Sequence, residues 1–430
     1  MTKSQLNSAP ATEWAGGWRV VVAAACGVGT TWHFFQIALG LFIIPMQTDF
    51  GWSRSQVAIG PIGGLLSIFF YPFAGMAIDR YGPRRIALLG LTLLSGGLLL
   101  FARVPANTLI FYTGVVCLAA IGSISNQMVF SKGVASWFAR RFGTAVGLMM
   151  SGVTIIGALG IPLIARVISR FGWRAGFVTL ALIIAIIGIP ANFFWFRSRP
   201  VSIEEAPNGG PPPAAGAGIR EAFLDRRFWL LAAAIGCAAV PVGGYMTHLQ
   251  PILVDRGIAA LSAASFGSMF VISIGVGRIV VGTLLDRFYP SFVSAAALSV
   301  SAVGVILLAY LHPNDNSWLG IAVAISMIGL AQGAESDYVS YFTRRIFGVR
   351  NFSRLVGILL MIAGGCMAVG GMIFAALFDH YKDYQLAVRG SAFMFFLAAL
   401  IFSTIRVPPL PAYGQTETTD MPAGLPVPRQ

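Results

Sequence analysis

Apolar runs about 20 residues long constrain this chain more than any other feature. They fall at about 20–45, 56–78, 86–102, 109–135, 144–166, 175–196, 228–252, 264–285, 292–311, 318–339, 355–378 and 388–408. A helix of roughly 20 residues crosses a hydrocarbon core about 30 Å thick. The runs are continuous rather than alternating with period two, which excludes a membrane β-barrel. Only 10% of the 430 residues are charged, against about 25% in soluble domains. The fold class is therefore an all-α membrane protein, with twelve transmembrane helices in two six-helix bundles.

The intervening segments divide the chain. Residues 1–17 are polar and small and read as a cytoplasmic tail; the run that follows is too long for a cleaved signal. Bundles over 18–197 and 228–408 flank a linker, 198–227, that carries Pro211, Pro212 and Pro213 and then Arg220, Arg226 and Arg227. The Pro- and Thr-rich stretch 409–430 reads as a disordered tail. With the N-terminus inside, cytoplasmic segments hold 19 of the 29 Lys and Arg residues and outer loops hold eight. The remaining two, Lys132 and Arg278, stand within runs. This bias puts both termini in the cytoplasm. The 26 arginines against three lysines point to a GC-rich bacterial gene, and so to a bacterial inner membrane.

The net charge of +13 is dispersed among loops, with no basic domain to hold nucleic acid. Cys26, Cys117, Cys237 and Cys366 lie in apolar runs and read as packing residues. A nucleotide-binding Gly-x-x-x-x-Gly-Lys motif is missing, as is any metal-ligand spacing, so neither an enzyme nor a cofactor is expected.

The second run ends on Gly75, Asp79 and Arg80, turns over Gly82 and Pro83, and shows Arg84 and Arg85 before the third begins. Gly282, Asp286 and Arg287 repeat the Gly-x-x-x-Asp-Arg spacing at an offset of 207. Arg140-Arg141 recurs as Arg344-Arg345 at an offset of 204. Two unrelated motifs at nearly one offset mean parallel six-helix repeats, an arrangement used by secondary transporters.

These residues carry a resemblance to the major facilitator superfamily, over about residues 18–408. Asp79-Arg80-x-Gly82-x-Arg84-Arg85 resembles its loop 2–3 signature. Within the superfamily the chain resembles the monocarboxylate and oxalate/formate branch. That narrower likeness rests on Trp137-Phe138, Arg140-Arg141, Gly147, Ser151-Gly152, Pro162, Gly172-Trp173-Arg174 and Arg278. It implies that Arg278 binds the substrate anion, and that Asp79 faces the N-terminus of span 11 near Ser353 as a conformational latch. In the second copy Tyr289 replaces Gly82 and no arginine pair follows. The first copy is therefore expected to dominate the latch. Gln36 stands where the monocarboxylate branch has a lysine, Ile274 where it has an acid one turn before the arginine, and span 11 contains no lysine.

Ionisable groups at membrane depth mark function. Arg278 precedes Asp286 by eight residues, or about 12 Å of helix, and its fork can grip a carboxylate through paired hydrogen bonds. Lys132 precedes Arg140 by eight residues, which suggests similar depth, for a substrate, gate or ion-pair role. Glu335 and Asp337 point about 200° apart on one helix. One of them is expected to carry a proton while the other pairs with Lys132 or Arg278; the alternative is a purely structural ion pair. His33 is a further candidate proton or substrate group, the alternative being a hydrogen-bonding packing residue, and Gln36, Asn126 and Tyr245 are expected to orient the substrate. Gly143, Gly147 and Ser151 make a small-residue stripe for close helix contact.

The expected function is secondary transport of a small organic anion, a monocarboxylate, by alternating access. Protons or a counter-anion would drive it through a monomer in the lipid bilayer. The alternatives are efflux of larger amphipathic compounds and a non-transporting membrane sensor.

Overall fold

The computed structural model describes residues 9–52, 60–198, 218–311 and 318–408. Most of the linker and the whole C-terminal tail lie outside the described residues. Those described form helices and no strands. In the first half these are α1 (Ala9–Gly29), α2 (Trp32–Ala38), α3 (Gly40–Phe50), α4 (Gly60–Tyr81), α5 (Pro83–Phe101), α6 (Thr108–Ile124), α7 (Gln127–Ala135), α8 (Phe142–Ile183) and, after a π turn, α9 (Ile189–Trp195). The second half has α10 (Ile219–Leu224), α11 (Arg226–Asp255), α12 (Ala260–Arg287), α13 (Pro290–Tyr310), α14 (Trp318–Phe347), α15 (Phe352–Tyr381) and α16 (Gln385–Thr404).

Twelve spans follow among the described residues. Helices α1 to α3 make span 1, α4 and α5 spans 2 and 3, and α6 with α7 span 4. Helices α11 to α16 make spans 7 to 12. Spans 5 and 6 share α8, which runs on through the π turn and α9 for 54 residues. A straight helix of that length would reach about 80 Å, more than twice the hydrocarbon thickness. Gly172 breaks it with φ 81° and ψ 171°, a conformation that favours glycine because a Cβ would clash. The chain doubles back there, since a Cβ on Gly176 would stand 2.6 Å from Ile168 Cγ1.

Two boundaries differ from expectation. Residues 9–17 belong to α1 rather than to a free tail: Trp14 packs edge-on to Phe138 at 4.8 Å, and Gly16 and Gly17 lie against Trp137 and Phe138. The linker region contains α10, and Asp225 caps α11 by accepting from Arg227 N at 2.8 Å. The Arg227 guanidinium also bonds Asp225 and holds its carboxyl below the ordinary carboxylate range.

The repeat is visible in the packing. Span 1 lies on span 5 as span 7 lies on span 11; spans 2 and 4 pair as do 8 and 10; spans 3 and 6 pair as do 9 and 12. The halves meet most extensively where span 2 crosses span 11 and span 5 crosses span 8. Small residues make both crossings close. A Cβ on Gly75 would stand 2.4 Å from the Ser353 carbonyl oxygen, and one on Gly147 2.4 Å from that of Arg278. Gly143 and Gly282 face each other's carbonyls. The Gly143/Gly147 stripe thus faces span 8 across the boundary between halves.

Candidate substrate site and cytoplasmic latch

Arg278 lies within the unbroken helix α12, so its depth of about 12 Å from Asp286 holds. Its side chain is half-buried at the boundary between halves. Nη1 donates to the Met150 carbonyl of span 5 at 3.1 Å, while the buried Nε has no hydrogen-bond partner among the described residues. Two charged or titratable neighbours surround it. Asp337 of span 10 attracts the guanidinium, and His33 of span 1 is close enough to feel its charge from the opposite half. His33 Nδ1 is buried without a hydrogen bond among the described residues. Two of the expected residues, Asp337 and His33, therefore lie within electrostatic reach of a third, Arg278. The Glu335 side chain lies outside the described residues.

Others fall elsewhere. Tyr245 is fully buried inside the C-terminal bundle, its hydroxyl 2.9 Å from Ser391 Oγ of span 12 and its ring against Phe374 of span 11. It does not face the Arg278 cluster, because depth along a helix says nothing about azimuth. Asn126 caps α7 by accepting from Gln127 N and bonds Tyr71, so it shapes the break in span 4. Gln36 is half-buried on α2.

Lys132 is a clearer correction. Its expected depth assumed one helix through Arg140, but α7 stops at Ala135. Lys132 therefore sits in the last turn, and its Nζ meets Asp79 Oδ1 at 2.5 Å. Asp79 also accepts from Ser353 N at 3.3 Å and Arg354 N at 3.0 Å. These are first-turn N–H groups of α15, which have no partner within the helix. Arg84 instead donates to the Phe193 carbonyl within its own half, at 2.7 Å, and Arg80 lies over the Tyr81 ring at 5.3 Å.

The second copy is as fully engaged as the first, against expectation. Asp286 accepts from Gly143 N at 2.8 Å and from Thr144 N and Oγ1, both at 2.7 Å. It caps span 5 as Asp79 caps span 11. The aspartate and the glycine four residues before it build the contact, so losing Gly82 and the arginine pair costs this copy little. Thr144 escaped the sequence reading, although it directly follows the Gly143 of the expected stripe. Glu13 escaped it too, having been assigned to the tail.

Residues 21–343 match the profile of the Major Facilitator Superfamily. Human monocarboxylate transporter 11 is 26% identical over 394 residues, covering 89% of this chain and 80% of the relative. Bovine monocarboxylate transporter 13 is 25% identical over 379 residues, covering 85% and 83%. Among solved structures, the E. coli fucose:proton symporter superposes with a TM-score of 0.66 at 14% identity, over 90% of this chain and 98% of that one. The proton:xylose symporter XylE gives 0.68 at 12% identity, over 91% and 96%. Matched over most of its length by the family profile and sharing that family's fold, the chain belongs to the major facilitator superfamily.

Proposed function

We propose that this chain transports a small organic anion, a monocarboxylate, by alternating access around Arg278. The observation that carries the reading is a half-buried guanidinium at membrane depth, on the boundary between the halves, with Asp337 beside it and His33 across it. A guanidinium at that depth is expensive unless a carboxylate shares it. Asp337 and an incoming substrate carboxylate therefore compete for the same cation. Protonating Asp337 removes its claim and frees the fork for the substrate; deprotonation on the far side returns the cation and expels the anion. This couples a proton to the substrate in symport, and the same competition between two carboxylates permits anion exchange. The names of the relatives support the substrate class. Both latches and the Arg278 cluster are built within one chain, so a monomer suffices. The basic-residue bias supports cytoplasmic termini, and the excess of arginine over lysine supports a bacterial inner membrane.

The test is uptake of a carboxylate panel into proteoliposomes with and without an inward proton gradient. Wild-type protein takes up at least one monocarboxylate faster with the gradient, Arg278→Gln lowers that uptake about ten- to hundredfold at low substrate concentration, and Asp337→Asn removes its proton dependence. Undiminished transport by Arg278→Gln sinks the clamp.

A further inference from the structure

The N-terminal start of span 1 makes a third contact on the cytoplasmic face. Glu13 lies near the beginning of α1, and its carboxylate accepts three consecutive backbone N–H groups: Ala139 at 3.1 Å, Arg140 at 3.2 Å and Arg141 at 3.4 Å. These belong to the irregular segment between α7 and α8, which other bonds within its half also hold. Trp137 Nε1 donates to the Arg197 carbonyl at 2.6 Å, and Phe138 is fully buried against Trp14 and Gly17. The matching segment of the second half has no such loop, because α14 continues as helix to Phe347. The repeat is broken where Glu13 sits.

The opposite half reaches this loop. Arg344, on the last turns of α14, donates from Nη1 to the Ala139 carbonyl at 3.4 Å and lies over the Phe142 ring at 4.7 Å. The Glu13 charge attracts it. Asp337, Tyr341 and Arg344 share one face of α14 at i, i+4 and i+7, and Tyr341 stacks on Phe142 at 6.1 Å. The face of span 10 that meets Arg278 at depth thus meets the Glu13-held loop at the surface.

We propose that Glu13 is a positioning residue of the cytoplasmic gate: it shapes the loop before span 5 so that Arg344 of the other half closes on it. The three N–H groups would otherwise splay toward water, and the loop would lose the geometry that presents the Ala139 carbonyl and Phe142 ring together. Any motion that separates the cytoplasmic ends of spans 5 and 10 must part Arg344 from this loop and its carboxylate. Glu13 therefore biases the transporter toward the cytoplasm-closed state, although it belongs to the N-terminal half and touches neither the substrate cluster nor either aspartate latch.

The proposal is independent of the substrate reading, and its test needs no substrate. Ser340 of span 10 is 1% exposed, so a maleimide reaches Ser340→Cys, in full-length protein lacking the native cysteines, only after opening. Labelling should rise about tenfold in Glu13→Ala, as expected for losing charge-assisted hydrogen bonds. It should rise less in Glu13→Gln, which keeps an acceptor oxygen and serves as the second variant if alanine prevents folding. In an Arg344→Ala background, Glu13→Ala should add less than about twofold, because the two act through one contact. An effect of Glu13→Ala that is undiminished in that background would show that Glu13 only stabilises its own half, and overturn the proposal. Unchanged labelling in both Glu13 variants overturns it as well.

Discussion

At the scale of residues, the membrane makes some positions easy to read and hides others. Arg278 stood out because an arginine inside an apolar run has few reasons to be there, and its helix is continuous to Asp286. Replacing it should be severe. Arg278→Gln should weaken apparent affinity for the transported anion about ten- to hundredfold, the scale of a lost charge-assisted pair. Arg278→Lys should recover only part, since an ammonium cannot offer the fork; concentration-dependent uptake measures both. Tyr245 is the contrasting case. Its hydroxyl meets Ser391 inside the C-terminal bundle, so Tyr245→Phe should cost about 1 kcal/mol of stability and leave substrate KM unchanged, read from detergent melting and uptake. A KM shift without destabilisation would return Tyr245 to the substrate path. Where the helix is unbroken, sequence reports how deep such a side chain is, but not which way it faces.

At the scale of elements, helix existence was legible and helix continuity was not. Lys132 was placed too deep because counting back from Arg140 presumes an unbroken helix, whereas α7 ends at Ala135 after the Asn126 break. That error hid its partner, Asp79. The same motif comparison missed the strength of the second latch, because turn residues such as Gly82 are visible in a sequence and a helix N-terminus arriving from another span is not. The two caps should therefore be of similar weight. Asp79→Ala and Asp286→Ala should each cost about 1 kcal/mol of cap, shifting the closed–open equilibrium several-fold toward the cytoplasm-open state, with substrate affinity little changed. Asp79→Ala also strands the Lys132 ammonium, so Lys132→Met should recover part of its defect and none of that from Asp286→Ala. Maleimide labelling of a buried cytoplasmic-side cysteine reads all three variants. Gly147→Val tests the crossing itself: with a Cβ 2.4 Å from the Arg278 carbonyl oxygen, spans 5 and 8 cannot close, and labelling should stay high whatever the state of either aspartate.

At the scale of the whole molecule, the repeat explains why two caps cross between the halves. Each half offers one aspartate at the end of its second span and one bare helix N-terminus at the start of its fifth, and the halves exchange them. Asp79 of the first half caps span 11 of the second, and Asp286 of the second caps span 5 of the first. Two crossings formed by one pseudo-twofold relation should open together if each bundle moves as a rigid body. This differs from two local hinges, and the difference is measurable. In a background without Cys26, Cys117, Cys237 and Cys366, all free thiols, Ile358→Cys reports on span 11 and Leu148→Cys on span 5. Rigid rocking makes Asp79→Ala raise maleimide labelling at both reporters by the same factor, including the one on the other crossing. The combined Asp79→Ala and Asp286→Ala protein then multiplies the two factors, because each cap adds its own free energy to a single equilibrium. A rise confined to Ile358→Cys would mean that the crossings open separately, and that the internal symmetry duplicates the contacts without coupling their motion.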